Sequence, residues 1–151
     1  KLQRWTRDLL LTREARALPH AASDGIARQF LVPQVAIKVW GVSAEFADEA
    51  FAQGASDDVQ AFASSLTLPY CGANPGLEAA RWLDDPDSAA SLALIPLRAG
   101  MAPQAFGLLV LASPDAQRFA ADMGTDFLER IGELTSAALS RLRPVVPAAV
   151  E

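Results

Sequence analysis

The sequence contains little of what most catalytic and metal sites are built from. Its 151 residues include one cysteine and one histidine. A single cysteine forms no disulfide within the chain and no cysteine-based zinc site, and a single histidine leaves few metal or acid–base arrangements open. We therefore expect no metal, no cofactor and no catalytic residue, and we expect that the chain is not an enzyme.

Basic residues are also scarce. Lysine and arginine total 13 against 18 aspartates and glutamates, a formal net charge of −5. This balance argues against a nucleic-acid partner, which requires a basic face that displaces counterions from phosphates. The charge is uneven, because residues 45–87 hold nine acidic residues against Arg81 alone. The pairs Asp57–Asp58 and Asp84–Asp85 in this segment lie at a predicted helix start and turn, where exposed amides favour acids.

No apolar run approaches the ~20 residues that cross a membrane. The longest runs, at residues 92–97 and 105–112, have the length of buried strands. The sequence begins Lys-Leu-Gln-Arg-Trp, without the apolar region and cleavage site of a signal peptide, and without an initiator methionine. We expect no membrane contact, a cytoplasmic location, and a longer natural chain that begins upstream.

Three segments predict β-strands. Residues 35–41 are rich in β-branched side chains, and residues 91–98 and 104–112 are joined by a connection typical of a hairpin. The two hairpin strands are apolar on both faces. Leu92 and Leu94 alternate with Ala93, Ile95 and Leu97, and Phe106, Leu108 and Val110 alternate with Leu109 and Leu111. A strand without a polar face must be covered on both sides.

Apolar spacing predicts helices at residues 2–17, between Pro19 and Pro33, and at 125–142, with shorter ones at 44–53, 57–66 and 77–83. Strands gathered in a hairpin rather than alternating with helices indicate an α+β fold with an antiparallel sheet. We interpret residues 1–17 as the end of a longer helix of the coiled-coil kind, 18–143 as the domain, and 144–151 as a flexible tail.

The end of the sequence resembles a GAF domain. Phe106-Gly107 and the residues up to Asp115, followed by Phe119 and a long helix, match the strand G-x-L-x-L-x-S, the turn with Phe and the terminal helix of that family. Residues 69–72 (Pro-Tyr-Cys-Gly) and 122–128 (Asp-Met-Gly-Thr-Asp-Phe-Leu) resemble the uncharacterised bacterial family called domain of unknown function 484. The resemblance covers residues 18–142.

The resemblance implies a GAF-like central antiparallel sheet of about five or six strands with helices on both faces. It also implies a homodimer formed through the first and last helices and a small-molecule pocket on the other face of the sheet. Familiar GAF motifs are absent. The sequence has no Asn-Lys-Phe-Asp-Glu motif, Cys71 is followed by Gly72 rather than by the histidine of bilin-anchoring domains, and the several cysteines of methionine-sulfoxide-reducing relatives are missing.

Candidate ligand-binding residues come from the first strand and from the excursion at residues 43–86. Lys38 interrupts an apolar strand, and Trp40, two residues on, shares its face. On a pocket wall, Lys38 favours an anionic ligand and Trp40 a flat one. The remaining candidates are Tyr70, Cys71, Arg81 and Trp82. In the alternative interpretation the aromatic residues and Cys71 are packing residues and Lys38 reaches solvent.

Candidate dimer residues lie on the apolar stripes of the first and last helices: Leu2, Trp5, Leu9, Ile131, Leu134, Ala138 and Leu142. Two functions remain open. One is a non-catalytic sensory or regulatory module, a homodimer that binds a small molecule. The other is a structural dimerisation or adaptor module whose pocket is filled by side chains such as Phe46, Phe51 and Phe62.

Overall fold

Four strands form one antiparallel sheet in the computed structural model, which describes residues 1–145. The strands are β1 (Gln34–Val39), β2 (Tyr70–Ala73), β3 (Ser91–Arg98) and β4 (Ala105–Ser113), in the spatial order β1-β4-β3-β2. The hairpin predicted from residues 91–112 is β3–β4, in which Leu94 pairs with Val110. β1 joins the outer side of β4 and pairs Ile37 with Leu109.

Helices lie before β1, between β1 and β2, between β2 and β3, and after β4, whereas β3 and β4 follow each other directly. They are α1 (Leu2–Leu11), α2 (Leu18–Gln29), α3 (Asp57–Ser65) and α4 (Asp126–Leu139), with short 3-10 helices at Ala15–Ala17, Ala44–Phe46, Ala50–Ala52, Glu78–Trp82, Pro86–Ser88 and Ser140–Leu142. None of the helices within residues 1–145 has both the length and the apolar character that crossing a membrane requires.

The expected five or six strands are corrected to four. The excursion at residues 43–86 supplies a single short strand, β2, and otherwise forms α3 and 3-10 helices. Its composition explains this, because Val59 and Thr67 are its only β-branched residues and β-branched residues favour extended backbone. The predicted helices at 44–53 and 77–83 are likewise corrected to 3-10 helices.

Both faces of the sheet are covered, as the apolar alternation of β3 and β4 predicts. On the first face α1, α2 and α4 enclose a core with Ile37, Ile95 and Leu109, which we call the first core. On the second face α3 and the 3-10 helix Glu78–Trp82 enclose a second core with Leu94 and Leu108. All residues of β4 are buried. The sheet is therefore a middle layer.

Phe106 departs from this alternation. The pairing of β3 with β4 slips between Leu97 and Arg98, so that Leu97 opposes Gly107 while Arg98 opposes Ala105. Phe106 is the extra residue of this bulge, and its ring packs in the first core rather than on the second face predicted for it.

The N-terminal helix α1 is packed into the first core. Trp5 is fully buried, and its Nε1 donates a hydrogen bond to the carbonyl oxygen of Ala22 at 3.1 Å. Gly25 makes room for the indole, since a Cβ atom there would lie 2.6 Å from Trp5 Cδ1. The helix ends at Leu11 rather than at residue 17, because Thr12 is extended.

Whether α1 continues a longer helix stays a prediction. Of the predicted tail, Pro144 and Val145 are exposed, and residues 146–151 lie outside the described residues.

Candidate functional site

The second face of the sheet contains a pocket of about 160 Å³ between α3, the 3-10 helix Glu78–Trp82 and β3. We call it the sheet pocket. Its walls are apolar and come from Val59, Phe62, Leu77, Ala79 and Leu94. Its two acidic lining residues are the exposed Asp58 and the half-buried Glu78. The arrangement suits a small, mostly apolar molecule.

The sequence around Ser56 builds one side of the sheet pocket. Ser56 caps α3, because its Oγ accepts a hydrogen bond from the backbone N–H of Val59 at 3.1 Å. The Glu78 carboxylate accepts hydrogen bonds from the Ser56 hydroxyl and from the Ser56 backbone N–H, the latter at 3.2 Å. A polar contact between residues 56 and 78 thus holds the start of α3 against the segment that forms the opposite wall.

Arg98 holds the other end of α3. Its guanidinium donates to the carbonyl oxygens of Ser64 at 2.7 Å and Ala63 at 3.4 Å. These are C-terminal carbonyls of a helix, which lack partners within the helix and carry partial negative charge. The Ser64 hydroxyl accepts from the backbone N–H of Ala105 at 2.9 Å. The C-terminal end of α3 is therefore bonded to the sheet, and its start is bonded to the 3-10 helix Glu78–Trp82.

A larger cavity of about 610 Å³ lies on the other side of β3, between α4 and the half of that strand that β2 does not cover. We call it the edge groove. Small residues of α4, among them Gly132 and Ser136, form one wall. Ser136 Oγ accepts from the backbone N–H of Arg98 at 3.1 Å, and Pro96 has no N–H. Because of these two features, this part of β3 has few free backbone N–H groups with which an additional strand could pair.

Lys38 lies on the second face, as its spacing from Trp40 predicts. Its Nζ donates to the carbonyl oxygen of Ala50 at 2.9 Å and lies 5.9 Å from the centre of the Trp82 ring. Burial lowers the pKa of Lys38 below its usual range. Lys38 does not line the sheet pocket. Lys38 lies in β1, at the edge of the sheet, and its ammonium is held by the Ala50 carbonyl and the Trp82 ring.

The other ligand-binding candidates are dispersed. Trp40, Tyr70 and Trp82 pack against the second core. Trp40 Nε1 donates to the Ala105 carbonyl oxygen at 2.8 Å, and Arg81 is exposed. Cys71 lies on the opposite face, buried in the first core, and burial raises the pKa of its thiol. The six candidates thus do not converge on one cavity.

The dimer candidates divide by burial. The stripe residues Trp5, Leu9, Ile131 and Leu142 are buried within the first core of the chain itself. Leu2, Leu134 and Ala138 are half-buried and pack against that core. A second copy would therefore meet these three, together with more exposed neighbours such as Leu10 on α1.

The resemblance implies a pocket on the face of the sheet away from the first and last helices, and the sheet pocket lies on that face. Of its lining residues, the sequence connects only Phe62 with a pocket. Asp58 was interpreted only as a helix-start acid, and Leu77 and Ala79 only as parts of a helix. The signal in the sequence that could have indicated the pocket is the spacing of Val59 and Phe62, which puts both on one face of α3. That face packs against the side of β3 that carries Leu94. The depth of the pocket depends on how α3 is placed across the sheet.

A family model described as "Protein of unknown function, DUF484" matches residues 1–143. The chain belongs to this family. The sequence resemblance to that family is thereby confirmed. No curated protein matches the DUF484 chain significantly.

Solved structures similar to the DUF484 chain include GAF domains. One is the GAF domain of the potassium sensor histidine kinase KdpD from Escherichia coli, at 17% identity and a TM-score of 0.57 over 93% of this chain and 92% of that one. Another is the GAF domain of a phosphoenolpyruvate-protein phosphotransferase from Acinetobacter, at 12% identity and a TM-score of 0.62 over 93% and 90%.

A third similar structure is a free methionine-R-sulfoxide reductase from Neisseria meningitidis, solved with its substrate, at 10% identity and a TM-score of 0.57 over 92% of this chain and 86% of that one. At these identities the similarities show the fold alone. The DUF484 chain therefore has a GAF-like fold, an open antiparallel sheet with helices.

Proposed function

We propose that the chain is a non-catalytic sensory or regulatory module that binds a small molecule in the sheet pocket and forms a homodimer through α1 and α4. The observation that carries this proposal is the pocket itself, which has apolar walls and two carboxylates between the sheet and α3. The GAF-like fold supports it, since similar structures include domains of a sensor kinase and of a phosphotransferase. The proposal assigns the module to the cytoplasm.

The non-catalytic part of the proposal rests on the chemistry of Cys71. It is the single cysteine of the sequence, and its thiol is buried in the first core. Burial raises the pKa of this thiol, which disfavours the thiolate that nucleophilic or redox chemistry requires. One similar structure is a reductase, but fold similarity at 10% identity does not carry an activity across.

Thermal-shift screening of cell metabolites tests ligand binding. A ligand that occupies the native pocket raises the unfolding temperature, because it binds the folded state alone. Ala79→Leu should abolish the effect of a hit, since Ala79 is buried in the pocket wall. Ala61→Leu is the matched control, an identical change at an exposed position of α3. A screen without any hit that Ala79→Leu removes would contradict the proposal.

Sedimentation velocity tests the dimer. Leu10 and Leu11 are 80% and 63% exposed on α1, and Phe127 is 44% exposed on α4. Replacing Leu10 and Leu11 by glutamate should dissociate a dimer that buries these side chains, whereas Leu68→Glu, at an exposed leucine outside the helices, should not. A wild-type chain that remains monomeric at high micromolar concentration would contradict this part of the proposal.

The structural adaptor is favoured by a different observation. Side chains fill most of the second face, and Phe62 itself forms part of the pocket wall, whereas Phe46 and Phe51 lie at the first core instead. A dimer in sedimentation combined with no ligand in the screen would support this alternative.

A further inference from the structure

We infer that the ligand of the sheet pocket is a small organic cation, an ammonium group attached to an apolar body. This inference rests on the proposed function, because it specifies the chemical class of the molecule that the same pocket takes. Three observations lead to it: the size and lining of the pocket, the lack of a basic partner for its two acidic residues, and the charge of the surrounding segment.

The size of the pocket sets the size of the apolar body. Its volume is about 160 Å³, and its walls are aliphatic or aromatic carbon from residues such as Phe62 and Leu94. An apolar cavity of about 150 Å³ is large enough to take up benzene. A single ring or a short branched chain therefore fits, while a nucleotide or a bilin exceeds the space.

The charged residues that line the pocket are acidic. Asp58 and Glu78 are its acidic residues, and no lysine or arginine lines it. Within residues 1–145 the one ion pair closer than 4.0 Å joins Arg28 to Asp24 on α2, so neither pocket carboxylate has a basic partner. Glu78 accepts hydrogen bonds from Ser56, yet these leave its negative charge in place. An ammonium group would supply the missing partner.

The surrounding segment strengthens this preference. Residues 45–87, which include the pocket residues from Asp58 to Ala79, contain nine acidic residues against Arg81. A cleft lined by charges of one sign raises the local concentration of the opposite ion and repels ions of the same sign. The anionic ligand that Lys38 suggests is therefore replaced by a cation, since the Lys38 ammonium contacts Trp82 and the Ala50 carbonyl outside the pocket.

Three probes of nearly equal shape test the inference: benzylamine, benzyl alcohol and benzoate, which carry positive, zero and negative charge near neutral pH. Each is titrated into the isotope-labelled chain, and binding is followed by the NMR shifts of Val59, Leu77, Ala79 and Leu94. Benzylamine should bind at least about tenfold more tightly than benzyl alcohol, and benzoate should bind more weakly than both.

Charge-neutralising variants test whether Asp58 and Glu78 cause the preference for benzylamine over benzyl alcohol. In the double variant Asp58→Asn, Glu78→Gln the ratio of the benzylamine and benzyl alcohol affinities should fall to about threefold or less, with benzyl alcohol binding unchanged. The matched control is Asp84→Asn, Asp87→Asn, which changes the net charge equally at residues of the same segment that do not line the pocket. The control should keep most of the tenfold ratio. Circular dichroism confirms that each variant is folded.

The outcomes separate the inference from the proposed function. Equal binding of benzylamine and benzyl alcohol, or tighter binding of benzoate, would overturn the cation while leaving a working pocket. The same holds if no probe binds but the metabolite screen finds an uncharged or anionic ligand that Ala79→Leu removes, whereas a cationic ligand from the screen would support the inference. If neither the probes nor the screen gives a pocket ligand, both the inference and the proposed binding function fail.

Discussion

The substitution Gly25→Ala tests whether α1 is part of the first core in solution. Gly25 lies inside α2, where alanine is ordinarily the better residue by about 1 kcal/mol because glycine loses more backbone entropy on folding. In this chain the added Cβ would lie 2.6 Å from Cδ1 and 3.2 Å from Nε1 of Trp5. The indole is fully buried and hydrogen-bonded to Ala22, so it has little freedom to move away.

The expected magnitude follows from these opposing terms. Overpacking a rigid core costs about 1–3 kcal/mol. After the gain in helix propensity is subtracted, we expect a net loss of up to about 2 kcal/mol in the free energy of unfolding. For a domain of this size such a loss lowers the unfolding temperature by up to about 8 °C.

Thermal and urea unfolding of four variants provide the assay. Gly25→Ala and Trp5→Phe are measured singly and together, because the smaller phenyl ring should leave room for the alanine and make the two changes non-additive. Gly124→Ala is the control, since nothing lies within 4 Å of a Cβ atom there. If Gly25→Ala stabilises the chain as much as an ordinary glycine-to-alanine change in a helix, the docking of α1 through Trp5 is refuted.

Three further predictions concern single side chains. Leu31 has φ 53° and is 71% exposed, so Leu31→Gly should relieve backbone strain and leave the stability unchanged or raised by about 1 kcal/mol. Leu68→Gly, at another exposed leucine, should instead destabilise the chain. A clear loss of stability for Leu31→Gly in urea unfolding would contradict this prediction. Cys71 should react with iodoacetamide at pH 8 at least about tenfold more slowly in the native chain than in urea, because its thiol is buried. Equal rates in the native and unfolded chain would contradict the burial of Cys71. Burial lowers the pKa of Lys38, so the unfolded chain keeps this proton to higher pH than the folded chain. Stability relative to Lys38→Met should therefore rise as the pH increases toward 10.5, and a fall in this difference with rising pH would refute the reasoning.

The elements predicted well are those whose pattern is local. β3 and β4 were predicted from unbroken apolar runs, and α4 from a stripe containing Ile131, because each signal lies within one stretch of chain. β2 was missed since Tyr-Cys-Gly-Ala has no β-branched residue and is extended through pairing with β3, which no local pattern reports.

Parts that depend on distant contacts were less predictable. An apolar stripe such as Leu2, Trp5 and Leu9 looks the same whether it faces another copy or its own chain, and here the contact of Trp5 with Gly25 decides the question. The shared face of Lys38 and Trp40 followed from strand geometry. The lining of the sheet pocket did not follow from any local pattern, because its walls come from α3, the segment around Glu78 and β3, whose relative placement depends on the tertiary fold.

A single strand, β3, separates the sheet pocket from the C-terminal helix α4. Leu94 lines the sheet pocket, and the next residue, Ile95, lies on the reverse side of β3, where its Cγ2 is 2.7 Å from the Cβ position of Gly132 in α4. At Gly132 the helix contacts the strand with no side chain of its own between them. If the proposed ligand displaces Leu94, the shift reaches α4 through the neighbouring residue Ile95, and a bulkier residue in place of Gly132 would press on Ile95 and alter that contact from the helix side.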